Sequence, residues 1–321
     1  MPLTRNQNIV LGCAGAFVLG VCLLLAPWVM IGISFALDAW SKERAHRDFK
    51  PANLAEAARF DLATPEMVTP FLDKGEKIDQ MVDMGNGLSW PLIRAAANSG
   101  NPEVVRLLIR RGAKAEQAGL WSCLRLGSEN MARVLIEEGA PLTGGQADAD
   151  LDIGPEPIQA AVMGHQAWAV KLMLEKGADV HVRNRRKDSL LHLSLENESM
   201  NGGPVSDSLE TTKVLLAAGA EVDTLGMGDY TPLAWAGEHG KVDEAKLLLA
   251  AGARVDGPPG IAFTPLALAV RHCRPETAAL FLSKGASRAV KTEDHLPLRE
   301  GACYAGYPDD GDKRKIAELL R

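Results

Sequence analysis

The chain has 321 residues, of which 46% are hydrophobic but only 5% aromatic, and it carries a formal net charge of −6. That length exceeds what a single hydrophobic core accommodates, and abundant Ala, Leu and Gly beside few rings suit helices that pack closely through small side chains. Residues 1–50 hold five basic and three acidic side chains, so the remainder stands at −8, the wrong sign for a phosphate binder, and no nucleic-acid partner is expected.

In chain order, a short N-tail (1–8) precedes an uncharged run from Ile9 to Leu37, "IVLGCAGAFVLGVCLLLAPWVMIGISFAL". Spanning a bilayer takes about 20 apolar residues, so residues 9–37 are predicted to form one transmembrane helix in contact with lipid. Trp28 and Trp40 fit interfacial anchors and Pro27 a kink. A cleaved signal peptide is the competing reading, with Ser34-Phe35-Ala36 as its cleavage site. Gly12, Ala16 and Gly20 recur every four residues, a spacing that permits weak self-association of two spans, although such composition is ordinary in spans.

Residues 38–51 read as a juxtamembrane linker with Lys42, Arg44, Arg47 and Lys50, against Arg5 alone before the run. The excess of basic residues is expected to stay in the cytoplasm, which puts residues 52–321 there. The alternative keeps the short N-tail inside and exports the rest to the periplasm. Among the five cysteines, Cys13 and Cys22 lie in the apolar run, leaving Cys123, Cys273 and Cys303 as an odd set. They are read as small buried residues rather than a disulfide framework, and unpaired thiols lean towards a reducing compartment.

From residue 52 onwards the chain repeats itself. "LAEAARFDLATPEMVTPFLDKGE" closes at Gly75, "WPLIRAAANSGNPEVVRLLIRRGA" at Gly112-Ala113 and "CLRLGSENMARVLIEEGA" at Gly139-Ala140. "PIQAAVMGHQAWAVKLMLEKGA" closes at Gly177-Ala178, and the unit starting "SLLHLSLEN" at Gly219-Ala220. "TPLAWAGEHGKVDEAKLLLAAGA" (231–253) and "TPLALAVRHCRPETAALFLSKGA" (264–286) follow, before a truncated eighth unit that runs to Arg321. Thr-Pro starts a helix, because the hydroxyl caps free N–H groups and Pro suits the first helical position. Gly ends one, because a left-handed C-cap favours it. Each unit is a pair of short helices too small to bury its own apolar face, and a period of about 33 residues lets each bury that face on its neighbours.

This pattern of T-P-L-H, small inner helix, G-H, outer helix and L-L-x-x-G-A resembles the ankyrin repeat family. The resemblance covers residues 52–321 and implies an all-α repeat solenoid, a stack of helix pairs with interrepeat β-hairpin loops, here preceded by one N-terminal transmembrane helix. Only Ser189-Leu190-Leu191-His192 keeps the family's His, and the first and third units lack the Thr-Pro start. Those units are expected to be less regular, the first serving as a polar cap.

Little in the chain reads as catalytic chemistry. Asp148 to Gly154, "DADLDIG", has acids at alternate positions but Ile153 where a calcium loop needs Gly and Gln159 where it needs Glu. His165, His239 and His272 fall in turns of separate units with no ligand partner at suitable spacing. A phosphate loop, a G-x-S-x-G elbow and a Cys/His pair are all missing from the sequence. Neither enzyme activity nor a cofactor nor a metal is expected.

The resemblance instead implies protein binding through loop tips and exposed inner-helix positions. Carried over residue by residue, these are Arg185, Arg186 and Asp188 in one loop, with Glu196 and Asn197 on its inner helix. The next units supply Met227, Tyr230, Glu238 and His239, then Ile261, Phe263, Arg271 and His272. Aromatic and Arg residues dominate interface energetics. An insertion of about nine residues within "ESMNGGPVSDS" (198–208) reads as a loop in the same region. With the apolar run as an anchor, the resemblance therefore implies a membrane-anchored scaffold, inhibitor or immunity-type neutraliser of a protein partner, with an accessory subunit working through its span as the alternative.

Overall fold

Two Thr-Pro starts show how the units are built. Thr231 and Thr264 are extended N-caps whose hydroxyls accept from the backbone N–H of Ala234 (3.1 Å) and Ala267 (3.2 Å). Pro232 and Pro265 then occupy the first helical positions, where a missing N–H costs nothing. The computed structural model describes residues 50–60, 63–84, 87–125, 127–143, 156–196, 208–261, 263–289, 298, 303 and 310–321. Outside the described residues lie the expected transmembrane helix at 9–37, with Trp28, Trp40 and the Gly12, Ala16, Gly20 face, as well as the acidic stretch 148–154 and Asn197. Among the described residues no helix is long and apolar enough to cross a membrane.

The chain divides into two compact units, Met1–Ala57 and Ala58–Arg321. Helix α1 (Leu54–Arg59) straddles that division. Beyond it come α2 (Pro65–Asp73), strands β1 (Met81–Asp83) and β2 (Ser89–Pro91), and the helix pairs α3 (Leu92–Asn98) with α4 (Pro102–Arg110) and α5 (Leu120–Arg125) with α6 (Glu129–Glu137). Next are α7 (Pro157–Met163) with α8 (Ala167–Glu175), α9 (Leu190–Ser194) with α10 (Ser208–Ala217), α11 (Pro232–His239) with α12 (Val242–Ala250), α13 (Pro265–Arg271) with α14 (Pro275–Ser283), and finally α15 (Asp310–Leu319).

Inner helices form one layer and outer helices another. In the inner layer α5 packs on α7, α7 on α9, α9 on α11 and α11 on α13; in the outer layer α4 packs on α6, α6 on α8, α8 on α10, α10 on α12, α12 on α14 and α14 on α15. The core runs between the layers, with Leu108, Leu135, Ile158, Met173, Leu191, Leu248, Leu266 and Phe281 fully buried or nearly so. Small residues let the inner helices approach closely. A Cβ on Gly237 of α11 would lie 2.7 Å from the Pro265 carbonyl oxygen of α13.

The loops match the hairpin expectation only in part. β1 and β2 pair antiparallel with Met81 opposite Pro91 and Val82 opposite Trp90, and one further bridge joins Arg183 to Ser189. After Gly112 the shortened loop forms a 3₁₀ turn (Ala115–Ala118) that packs on α3 in place of a hairpin. Too few residues remain there to go out and return as two strands. The loop before Thr264 carries Pro258 and Pro259, which lack the N–H a ladder needs. The insertion also ends earlier than its composition suggested, since Ser208 begins α10 and its buried hydroxyl donates to Glu244 (2.6 Å).

One expectation is corrected outright. Cys273 and Cys303 form a disulfide, with Cα atoms 4.8 Å apart, whereas Cys123 is a free buried thiol. Residue counting missed the pair because 30 positions separate its members and only the stacking of the seventh and eighth units brings them together.

Candidate partner-binding surface

The proposed surface rests on a buried polar frame at the fifth and sixth units. His192 sits in α9, 1% exposed, and burial pushes its pKa below the ordinary imidazole range. The neutral ring has a fixed tautomer. Nε2 donates to the Tyr230 carbonyl (3.0 Å), so Nδ1 accepts from the backbone N–H of Ser189 (3.2 Å), with the Ser189 hydroxyl 2.9 Å away. Asp188 is 1% exposed and accepts from the Met227 backbone N–H (2.8 Å) and from Asn184 Nδ2 (3.1 Å). Arg183 donates to the Thr224 hydroxyl and to the Leu225 carbonyl (2.8 Å). The loop between units leaves no spare room: a Cβ on Gly226 would lie 2.5 Å from Asp188 Oδ1 and 2.9 Å from His192 Nε2.

On that frame stands a run of aromatic rings. Tyr230 meets Phe263 edge-on at 5.4 Å between centroids and Trp235 at 6.1 Å; Trp235 stacks on His239 at 5.4 Å and meets His192 edge-on at 6.1 Å. Tyr230, Phe263 and His239 are half-buried, whereas Trp235 is buried. Edge-to-face pairs of this kind add about 0.5–1.5 kcal/mol each beyond their burial. They fix the outer rings as rigid platforms.

The structure sorts the expected surface residues into distinct groups. Arg185 and Met227 are exposed, Met227 by 46%. Arg186, Glu196, Ile261, Glu238, Arg271 and His272 are half-buried. Arg186 lies 3.8 Å from Asp188 and 3.9 Å from Glu196, and His272 lies 3.7 Å from Glu238. Asp188 is corrected: its carboxylate is committed to the interior, because two loop donors would otherwise be orphaned there. Tyr230 and Phe263 are brought together across two units. Trp235, which links Tyr230 to His239, escaped the sequence reading; its spacing of four from His239 on α11 was the available signal.

Among the described residues no group of three or more metal-capable side chains gathers. An ankyrin-repeat model, described as three copies, matches residues 92–184 and 204–292, more than half of the chain. The chain belongs to the ankyrin repeat family. No curated protein matches it. Ankyrin repeats are in general protein-protein interaction modules and not enzymes, and the helix pairs from α3 to α14 fall within the matched residues.

Proposed function

We propose that this ankyrin repeat protein is anchored in a membrane by residues 9–37 and captures a protein partner through the fifth to seventh units, acting as a scaffold, inhibitor or immunity-type neutraliser and not as an enzyme. The observation that carries this reading is the Tyr230–Phe263 pair, which spans two neighbouring units with Met227 exposed beside it. Rings held edge-on over a buried frame lose little side-chain freedom on binding, which is what makes aromatic anchors effective. Arg185, Arg186, Glu196, Glu238, Arg271 and His272, exposed or half-buried in the same units, would supply polar contacts of both signs.

The test compares Tyr230→Ala and Phe263→Ala with the parent in full-length protein. Each is expected to weaken capture of the partner by about 2 kcal/mol, roughly thirtyfold, while the lost ring contacts lower the melting temperature less than Leu248→Ala does. If both rings instead lower the melting temperature as far as Leu248→Ala does, they are core and the surface is elsewhere. Exchanging residues 9–37 for an unrelated span separates this reading from an accessory subunit that acts through its span. Capture survives the exchange in the first case and is lost in the second.

A further inference from the structure

The cysteines beyond the apolar N-terminal run are of two kinds. Cys123 is buried in α5, and burial pushes its thiol up to about 11, leaving almost no thiolate for exchange. Cys273 and Cys303 are joined to each other. Cys273 stands in the turn between α13 and α14, at the position Gly240 holds one unit earlier, and both residues share its left-handed backbone, with φ of 53° and 72°. The backbone N–H of Cys303 donates to the Val270 carbonyl (3.1 Å) at the end of α13. The disulfide thus ties the seventh helix pair to the start of the eighth unit.

Among the described residues of that unit Leu298 and Ile316 are the buried apolar ones, and the Lys315–Glu276 pair (3.3 Å) is exposed. One carbonyl contact from Arg288 to Leu319 (3.3 Å) is exposed as well. Neighbour contacts set the stability of each unit in a stack, the end unit has a neighbour on one described side, and a covalent link to that neighbour restrains its opening.

Disulfides persist in oxidising compartments and are rare where thiols are kept reduced. The expected cytoplasmic placement drew on basic residues after Leu37 and on unpaired cysteines, and the pairing removes the second of these. We propose, resting on the membrane anchor proposed above, that the repeat domain works on the oxidising face of the membrane, with the Cys273–Cys303 disulfide stapling the eighth unit to the seventh. In forming the bond the two thiols lose two protons and two electrons. The electrons pass by thiol–disulfide exchange to the disulfide of a thiol-oxidising carrier protein, which leaves as its dithiol.

The experiment uses the full-length chain in its own membrane. Cells are quenched in acid, free thiols are blocked under denaturing conditions, and the thiols released by reductant are then tagged with a maleimide polymer. Two tags are expected in the parent and none in a Cys273→Ser/Cys303→Ser variant. No tag in the parent means that the thiols are reduced in the cell, and the proposal falls. A second readout is limited proteolysis of the oxidised protein with and without reductant. Reduction is expected to speed cleavage between the seventh and eighth units on the order of tenfold or more, with the double variant fast in both conditions. An unchanged rate in the parent removes the stapling role even where the bond is present.

Discussion

The front of the stack, α2 to α6, and its rear, α9 to α14, solve the same packing problem with different bonds. At the front the N-cap residues Thr64, Pro91, Asn101 and Ser128 make no side-chain cap, as Lys241 and Arg274 make none at the rear. Adjacent outer helices there are tied by charge. Arg106 reaches Glu138 at 2.7 Å and Glu137 at 3.2 Å, Arg110 shares Glu138 at 3.1 Å, and Arg111 meets Asp73 at 2.8 Å. At the rear, Thr231 and Thr264 cap their helices, and neighbouring units are joined by buried or half-buried polar contacts such as Asp188 to Met227 and His192 to Tyr230. A further contact joins Arg274 to the Glu238 carbonyl (3.0 Å). Arg110, Arg111 and Asp73 are exposed, so their pairs are screened by salt and contribute little singly, whereas Arg106 and Glu138 are half-buried. Buried hydrogen bonds are costly to break. The rear is therefore expected to be the stiffer half, and it is the half on which the aromatic rings stand.

The comparison is tested most harshly in the rear core. Leu248 is completely buried in α12, and Leu248→Ala is expected to cost about 2–5 kcal/mol, read by thermal or denaturant unfolding. Because each unit touches only its neighbours, hydrogen exchange should show the loss first around α10, α12 and α14. A uniform loss of protection from α2 to α14 would mean that front and rear form one cooperative block.

Asp188→Ala comes next. It leaves the Met227 N–H and the Asn184 amide without their buried acceptor and should cost about 1–3 kcal/mol. A neutral outcome in urea titration would show that the inter-unit frame contributes nothing to rear stiffness.

Acid sharpens the contrast further. His192 is held neutral in the fold by burial, so its folded pKa lies below the ordinary 6.5. The unfolded chain then binds the extra proton first. Rear stability is fully present above about pH 6.5 and is lost as pH falls through the folded pKa, by at most about 1.4 kcal/mol per pH unit. His192→Gln, followed by the same pH series, should flatten that slope.

The smallest effect belongs to the front. Arg106→Ala should cost about 0.2–1 kcal/mol, and raising salt should weaken the parent there more than the variant, which keeps the Arg110–Glu138 and Arg111–Asp73 pairs. Hydrogen exchange of α4 and α6 at two salt concentrations measures this. Equal salt sensitivity at front and rear would dissolve the distinction.

Much of this was legible in the residues. Thr231-Pro232 and Thr264-Pro265 marked helix starts because caps and a first-turn proline act within four residues of one another. Gly240 and Gly252 marked ends because their left-handed backbone, with φ of 72° and 97°, is a local demand on residue type. Tyr230 and Phe263 stood out as aromatic residues in loops. Asp188 looked like a loop tip for the same reason, and only its burial against Met227 and Asn184 revealed an internal strut.

The sequence by itself determined the repeat, its period and the family, because capping, turning and apolar spacing are set by residues a few positions apart and recur unit after unit. Tertiary structure alone decided which polar side chains face inward, that Trp235 bridges Tyr230 and His239, and that Cys273 meets Cys303. Those depend on where one unit's surface falls on the next, a relation between residues about 30 positions apart that no local pattern encodes.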